Sequence, residues 1–126
     1  MDRKEYAVQL KHSGYNCCQA VLCAFEKETN LSEEQLKQLG ASFGVGMGNM
    51  EATCGALCGA EMLLGLKKYE NKPILPQAKQ IHAAFEEKCD ATLCKDLKGR
   101  DTGVILCECD DCVRNAIEVI HDLFED

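Results

Sequence analysis

Ten cysteines stand in a chain of 126 residues, and their spacing decides what chemistry they could do. Cys54 and Cys58 lie four apart in "EATCGALCGAEMLLGL", one turn on the same face if the segment is helical. A cap at Thr53 or Asn49 would set Cys54 in or near the first turn. There the backbone N–H groups and the helix dipole favour a thiolate, the form that attacks disulfides and binds soft metals. Glu51 partly opposes this. Gly55, Gly59 and Gly65 fall inside the same segment, although each costs about 1 kcal/mol relative to alanine in a helix interior. Bare backbone at Gly55 and Gly59 would let a neighbouring helix, another cysteine or a cofactor come close.

Cys109 and Cys112 form a Cys-x-x-Cys pair, a spacing shared by zinc sites, iron–sulfur sites and dithiol redox centres. Glu108, Asp110 and Asp111 crowd it, and like charge should raise the thiol pKa values and disfavour fast dithiol attack. Val113 stands where a covalent haem site needs His. The remaining cysteines, Cys17, Cys18, Cys23, Cys89, Cys94 and Cys107, each carry the alternative reading of a small buried hydrophobe. His12, His82 and His121 form no HExxH-like pair and are expected at the surface or half-buried. "GVGMG" lacks the strand before it and the Lys-Ser/Thr after it that a phosphate-cradling loop needs.

Composition narrows the setting for these thiols. The net charge is -7 and no basic stripe interleaves with aromatics, so a phosphate backbone would be repelled and nucleic acid is excluded as a partner. No apolar run reaches the length of a signal peptide or a spanning helix, which predicts a chain that does not insert in membranes. A cytoplasmic location follows as the expectation, and there cysteines serve metal binding or catalysis more often than structural disulfides.

The elements that must position the cysteines read as helices throughout. Lys4–Lys11 is a first helix with Tyr6, Ala7 and Leu10 on its buried side. Asn16 caps "CCQAVLCAFEKE", where Cys18, Val21, Leu22 and Phe25 recur at helical spacing. Ser32 with Gln35 gives a capping box for a third helix ending near Gly40. "GVGMGN" is an irregular loop, the quoted stretch a fourth helix, and "LPQAKQIHAAFEEKC" a fifth with Ala78, Ile81, Phe85 and Cys89 in line. A short piece covers Cys94 to Leu97. Asp110 or Asp111 then caps a last helix with a stripe of Val113, Ala116, Ile117, Ile120 and Leu123. With 46% hydrophobic residues and no alternating strand pattern, residues 1–126 should form one all-α domain, a bundle of about five to seven short helices.

The order of "SGYNCCQAVL", "FGVGMGNMEATCGALCGA", "CKDLKG" and "CDDCVRNAIEVI" resembles the redox-active family defined by a CGAxxG motif and four spaced cysteines, the C_GCAxxG_C_C family. Cys54, Gly55, Ala56 and Gly59 match the central motif, with Leu57 and Cys58 in its variable slots. The resemblance puts the first family cysteine on Cys17, the third on Cys94 and the fourth on Cys109 or Cys112. It implies cysteine chemistry, and three functions compete. In the first, Cys17, Cys54, Cys94 and Cys109 or Cys112 ligate an iron–sulfur cluster or zinc and exchange electrons with a redox partner. In the second, Cys54 is the reactive thiolate of a thiol–disulfide oxidoreductase, resolved by a cysteine such as Cys17 or Cys58. In the third, the chain is a non-catalytic helical interaction module, whose small-residue face is also available to a homodimer.

Overall fold

The computed structural model describes residues 2–124, and they form an all-α bundle. Its helices are α1 (Arg3–His12), α2 (Cys17–Ala24), α3 (Glu33–Gly40), α4 (Gly55–Lys68), α5 (Leu75–Cys89), α6 (Cys94–Leu97) and α7 (Cys109–Phe124). A single 3-10 turn covers Glu26–Glu28, and a wide irregular turn covers Gly46–Met50.

Local signals start several of these helices. Asn16 and Ser32 each accept from the backbone N–H three residues on, and the Gln19 and Gln35 side chains return the bond to the cap N–H, so α2 and α3 open with complete capping boxes. Pro76 sits in the first turn of α5, where its missing N–H costs nothing. The Gly46–Met50 turn departs from helical backbone. Val45, Met47 and Gly48 have positive φ, so the alternating-glycine segment is irregular as its composition predicts.

The core gathers around α2, which packs against α1, α3, α4 and α7. Phe25, Phe85, Leu22, Leu57, Leu63 and Ile117 are among its largest fully buried side chains, each stabilising the fold by roughly 1.5–3 kcal/mol. Two stripe edges differ from the periodicity. Tyr6 is 42% exposed and Val8 is buried in its stead, because α2 and α7 cover the Ala7–Val8 side of α1. Leu123 is 41% exposed at the far end of α7, where the stripe runs past its neighbours, while Val119 joins the buried set.

One non-helical contact matters for the site. Thr53 and Leu93 form an isolated antiparallel bridge, in which Cys54 N–H donates to Thr92 O at 2.8 Å and Cys94 N–H donates to Ala52 O at 3.0 Å. Those two bonds hold the starts of α4 and α6 side by side. No helix among the described residues is long and apolar enough to cross a membrane.

Candidate cysteine centre

Four cysteines far apart in sequence each stand where a helix begins. Cys17 is the first residue of α2, Cys54 is the N-cap of α4, Cys94 opens α6 and Cys109 opens α7. These helix starts converge on one small cavity, lined by Cys17, Cys54, Cys94, Cys107, Cys109 and Cys112, with Gly55, Leu97 and Lys98. At the start of α4 the Ala56 and Leu57 N–H groups stabilise the Cys54 sulfur, and the positive dipole ends of α2 and α7 lie beside Cys17 and Cys109. All ten cysteines are free thiols.

The thiols are not equivalent. Cys17 and Cys109 interact through their thiols: Cys109 and burial push Cys17 up, while Cys17 brings Cys109 down to about 5. Burial alone would raise Cys109, but the Lys98 ammonium beside it adds to the lowering. Burial likewise works against charge on Lys98, and the neighbouring sulfurs of Cys109 and Cys94 outweigh it, so Lys98 titrates above its usual range. Burial raises Cys94.

Cys54 and Cys112 are a second interacting pair, and the Cys112 thiol donates to Cys107 O at 3.7 Å. The Cys112 thiol lowers Cys54, burial opposes the shift, and the backbone N–H groups of Ala56 and Leu57 in the first turn of α4 reinforce it. Cys112 itself is pushed up by Cys54 and then Cys89. Cys89 comes down to about 6, mainly through Cys112, with Asn115 Nδ2 donating to its Sγ at 3.3 Å. The sulfurs of Cys89, Cys107 and Cys112 all lie within 4.8 Å of one another.

Three charges differ from the sequence-based expectation. Asp110 does not oppose the Cys109 thiolate, because it is paired with His12 at 2.8 Å and Lys11 at 3.5 Å, and Asp111 is paired with Arg114 at 2.8 Å. With their side chains so engaged, neither acid starts α7, and the helix begins at Cys109. Glu51 is held by Arg100 at 2.6 Å. Asn49 is not the cap of α4 either, since its side chain accepts from Glu51 N–H, and Thr53 lies in the bridge, which leaves Cys54 itself as N-cap.

The two motif glycines do different things. Gly55 lines the cavity, and a Cβ there would meet Phe43 O at 2.6 Å, so its bare backbone admits the chain that closes the site. Gly59 faces α2 instead, where a Cβ would meet Val21 Cβ at 3.0 Å and Cys18 O at 3.1 Å. Cys18, Cys23 and Cys58 stay outside the cavity lining, and burial raises them to about 12, 11 and 11. Cys58 Sγ lies 3.9 Å from Thr53 O on the other side of the α4 start.

Spacing alone passed over Cys89, Cys107 and Lys98. Cys89 reads as the last member of an apolar stripe, and Cys107 stands two residues before a more conspicuous pair. Lys98 had a usable signal, for it follows Cys94 by four residues and so shares its side of the turn.

Among the described residues the converging donor set is Cys89, Cys107 and Cys112, which suits a thiophilic metal, while the sulfurs of Cys17, Cys54, Cys94 and Cys109 line the cavity without belonging to that set. Sulfurs bound at about 2.3 Å to one tetrahedral ion lie about 3.8 Å apart, and the Cys89, Cys107 and Cys112 sulfurs need close by only about 1 Å to reach that spacing. Residues 15–123 match the model of a family described as "Putative redox-active protein (C_GCAxxG_C_C)". No curated protein and no solved structure matches the chain.

Proposed function

Because the chain belongs to this redox-active cysteine family, we propose that it is an electron-transfer protein whose helix-start cysteines hold an iron–sulfur cluster or, failing iron, zinc. The observation that carries this reading is the single cavity that Cys17, Cys54, Cys94, Cys109 and Cys112 line together. Thiolates are the preferred ligands of both groups. Cys109 already favours the thiolate, Cys54 is lowered towards it, and Cys89 and Cys107 widen the donor set around Cys112. Lys98 offsets part of the accumulated negative charge, and Leu97 and Val45 keep the lining apolar. A bound cluster would supply a one-electron carrier, and the redox partner would be another protein or a small electron donor. Free thiols throughout fit a reducing compartment such as the cytoplasm.

Metal analysis, an absorption spectrum and a free-thiol count on protein purified without oxygen test the reading. Stoichiometric iron with sulfide-to-iron charge-transfer bands, or stoichiometric zinc, is expected. Protein that carries neither metal, and takes up neither on reconstitution, would refute it.

The contact between Cys54 and Cys112 favours a second reading, thiol–disulfide exchange. The Cys54 thiolate attacks a substrate disulfide, forming a mixed disulfide and expelling one substrate thiolate, which takes the Cys112 proton. Cys112 sulfur then attacks Cys54 sulfur, closes a Cys54–Cys112 disulfide and releases the second substrate thiolate, so two electrons pass to the substrate. Cys112 comes from a different helix than Cys54, which avoids the strained bridge that Cys58 would require inside α4. Retention of wild-type reduction potential in Cys54→Ser would eliminate this mechanism.

A further inference from the structure

A second cavity, of about 350 Å³, lies on the opposite side of the α4 start from the cysteine centre, lined by Phe43, Thr53, Leu57, Cys58, Glu61, Met62 and His82. Its volume is at the lower end of the range for small-molecule sites, roughly 300–1,000 Å³. Most of the wall is apolar. Among its polar members, Thr53, His82 and Glu61, the last has its Oε1 buried without a hydrogen-bond partner. An unsatisfied buried acceptor ordinarily costs about 1–3 kcal/mol, and the side chain that carries it is also part of the cavity lining.

We propose that this cavity binds a small organic cation, an amine carried on an apolar or aromatic body, with Glu61 as its counter-ion and Phe43 and Met62 as its apolar wall. Three observations select that class. An anion would meet the carboxyl group in a molecule of net charge -7. A metal ion would lack converging ligands, since Cys58, Glu61 and His82 are not among the residues whose ligand atoms cluster; the one such set among the described residues is Cys89, Cys107 and Cys112. An aromatic ring and a thioether line the same volume as the Glu61 side chain, the pairing that an organic ammonium uses.

Burial raises Glu61 to about 7, so near neutral pH much of it carries a proton that a bound ammonium would displace. Binding therefore releases protons. Cys58 from α4 and His82 from α5 are the other titratable groups of the lining, to which α2 and α7 contribute none. The proposal stands apart from the metal reading, and its test is run on the reduced full chain both with and without Zn²⁺, so that either can fail alone.

The probe is benzylamine, followed by amide chemical shifts. Saturable shifts at Thr53, Leu57 to Met62 and His82 are expected, with benzyl alcohol and benzoate binding about tenfold or more weaker, a gap of about 1.4 kcal/mol per factor of ten. Glu61→Gln should weaken benzylamine by a similar factor. His82 is exposed, so His82→Trp can obstruct the cavity without disturbing the core, and it should abolish the shifts. Shifts that never saturate, that scatter over the acidic surface, that keep wild-type affinity in Glu61→Gln, or that survive in His82→Trp would overturn the proposal. So would equal affinity for benzyl alcohol, which would show that Glu61 selects no charge.

Discussion

At the scale of residues, the chemistry turns on which sulfur keeps its proton. Cys109 is lowered to about 5 first by the Cys17 thiol and then by Lys98, against its own burial. Cys17→Ala should therefore return the Cys109 alkylation midpoint most of the way to an ordinary thiol value, and Lys98→Met should raise it less, by about one pH unit or 1.4 kcal/mol. Iodoacetamide rates followed across pH by peptide mass mapping, in metal-free reduced protein, check the order of the two effects. An unchanged midpoint in Cys17→Ala would mean that the Cys17 thiol is not what favours the thiolate. Glu61 makes a pH prediction of the opposite kind. Its pKa rises from 4.5 to about 7 on folding, so the folded chain holds this proton more tightly than the unfolded one. The stabilisation from that proton is complete below about pH 4.5 and is lost as pH rises through about 7. Glu61→Gln should then be nearly neutral at acidic pH and stabilising at alkaline pH. Because the residue is half-exposed, solvent screening reduces the expected gain to about 1 kcal/mol, measurable by urea unfolding at several pH values.

At the scale of elements, α4 explains why a helix tolerates so many glycines. Gly65 has no atom within 4 Å of a Cβ position, so Gly65→Ala should gain about 1 kcal/mol of helix propensity at no steric cost. Gly55→Ala and Gly59→Ala should instead lose about 1–3 kcal/mol, because one meets the Phe43 carbonyl and the other the Val21 side chain and the Cys18 carbonyl. Thermal melts of the three variants separate packing glycines from a dispensable one, and a stabilised Gly55→Ala would contradict the close approach. Sequence legibility follows the same division between local and distant causes. The capping boxes at Asn16 and Ser32 involve residues three apart, so pattern alone finds them. Tyr6 and Leu123 are exposed against the periodicity, because it gives the direction of a stripe but not how far its neighbours extend over it. The Thr53–Leu93 bridge left no signal at all. It is a single pair between remote segments, too short for any alternating pattern, yet it sets Cys54 beside Cys94.

At the scale of the whole molecule, the helices act as a device for collecting their own starting residues. Separate segments deliver Cys17, Cys54, Cys94 and Cys109 to one cavity, and ion pairs between α1 and α7 brace that end through Lys11, His12, Asp110, Glu5 and Arg114. The resemblance pointed to Cys17, Cys54, Cys94 and either Cys109 or Cys112, all of which line the cavity, whereas the placement of Cys89 and Cys107 beside Cys112 depends on how α5 and the segment before α7 meet in space. Metal binding to such a centre must then stabilise the fold, since the unfolded chain scatters the same sulfurs along its length. With free metal at about 100 times the dissociation constant, the linkage amounts to about 2.7 kcal/mol. Anaerobic protein loaded with iron and sulfide, or with zinc, should melt several degrees above the apo protein, and a chelator strong enough to strip the metal should reverse the gain. Cys54→Ser and Cys112→Ser should each remove most of the increment, because both sulfurs line the cavity from different helices. Cys23→Ser should leave it intact, because Cys23 lies against Glu33 O and outside the cavity. An equal loss in all three variants would show that the increment reports general destabilisation rather than ligation.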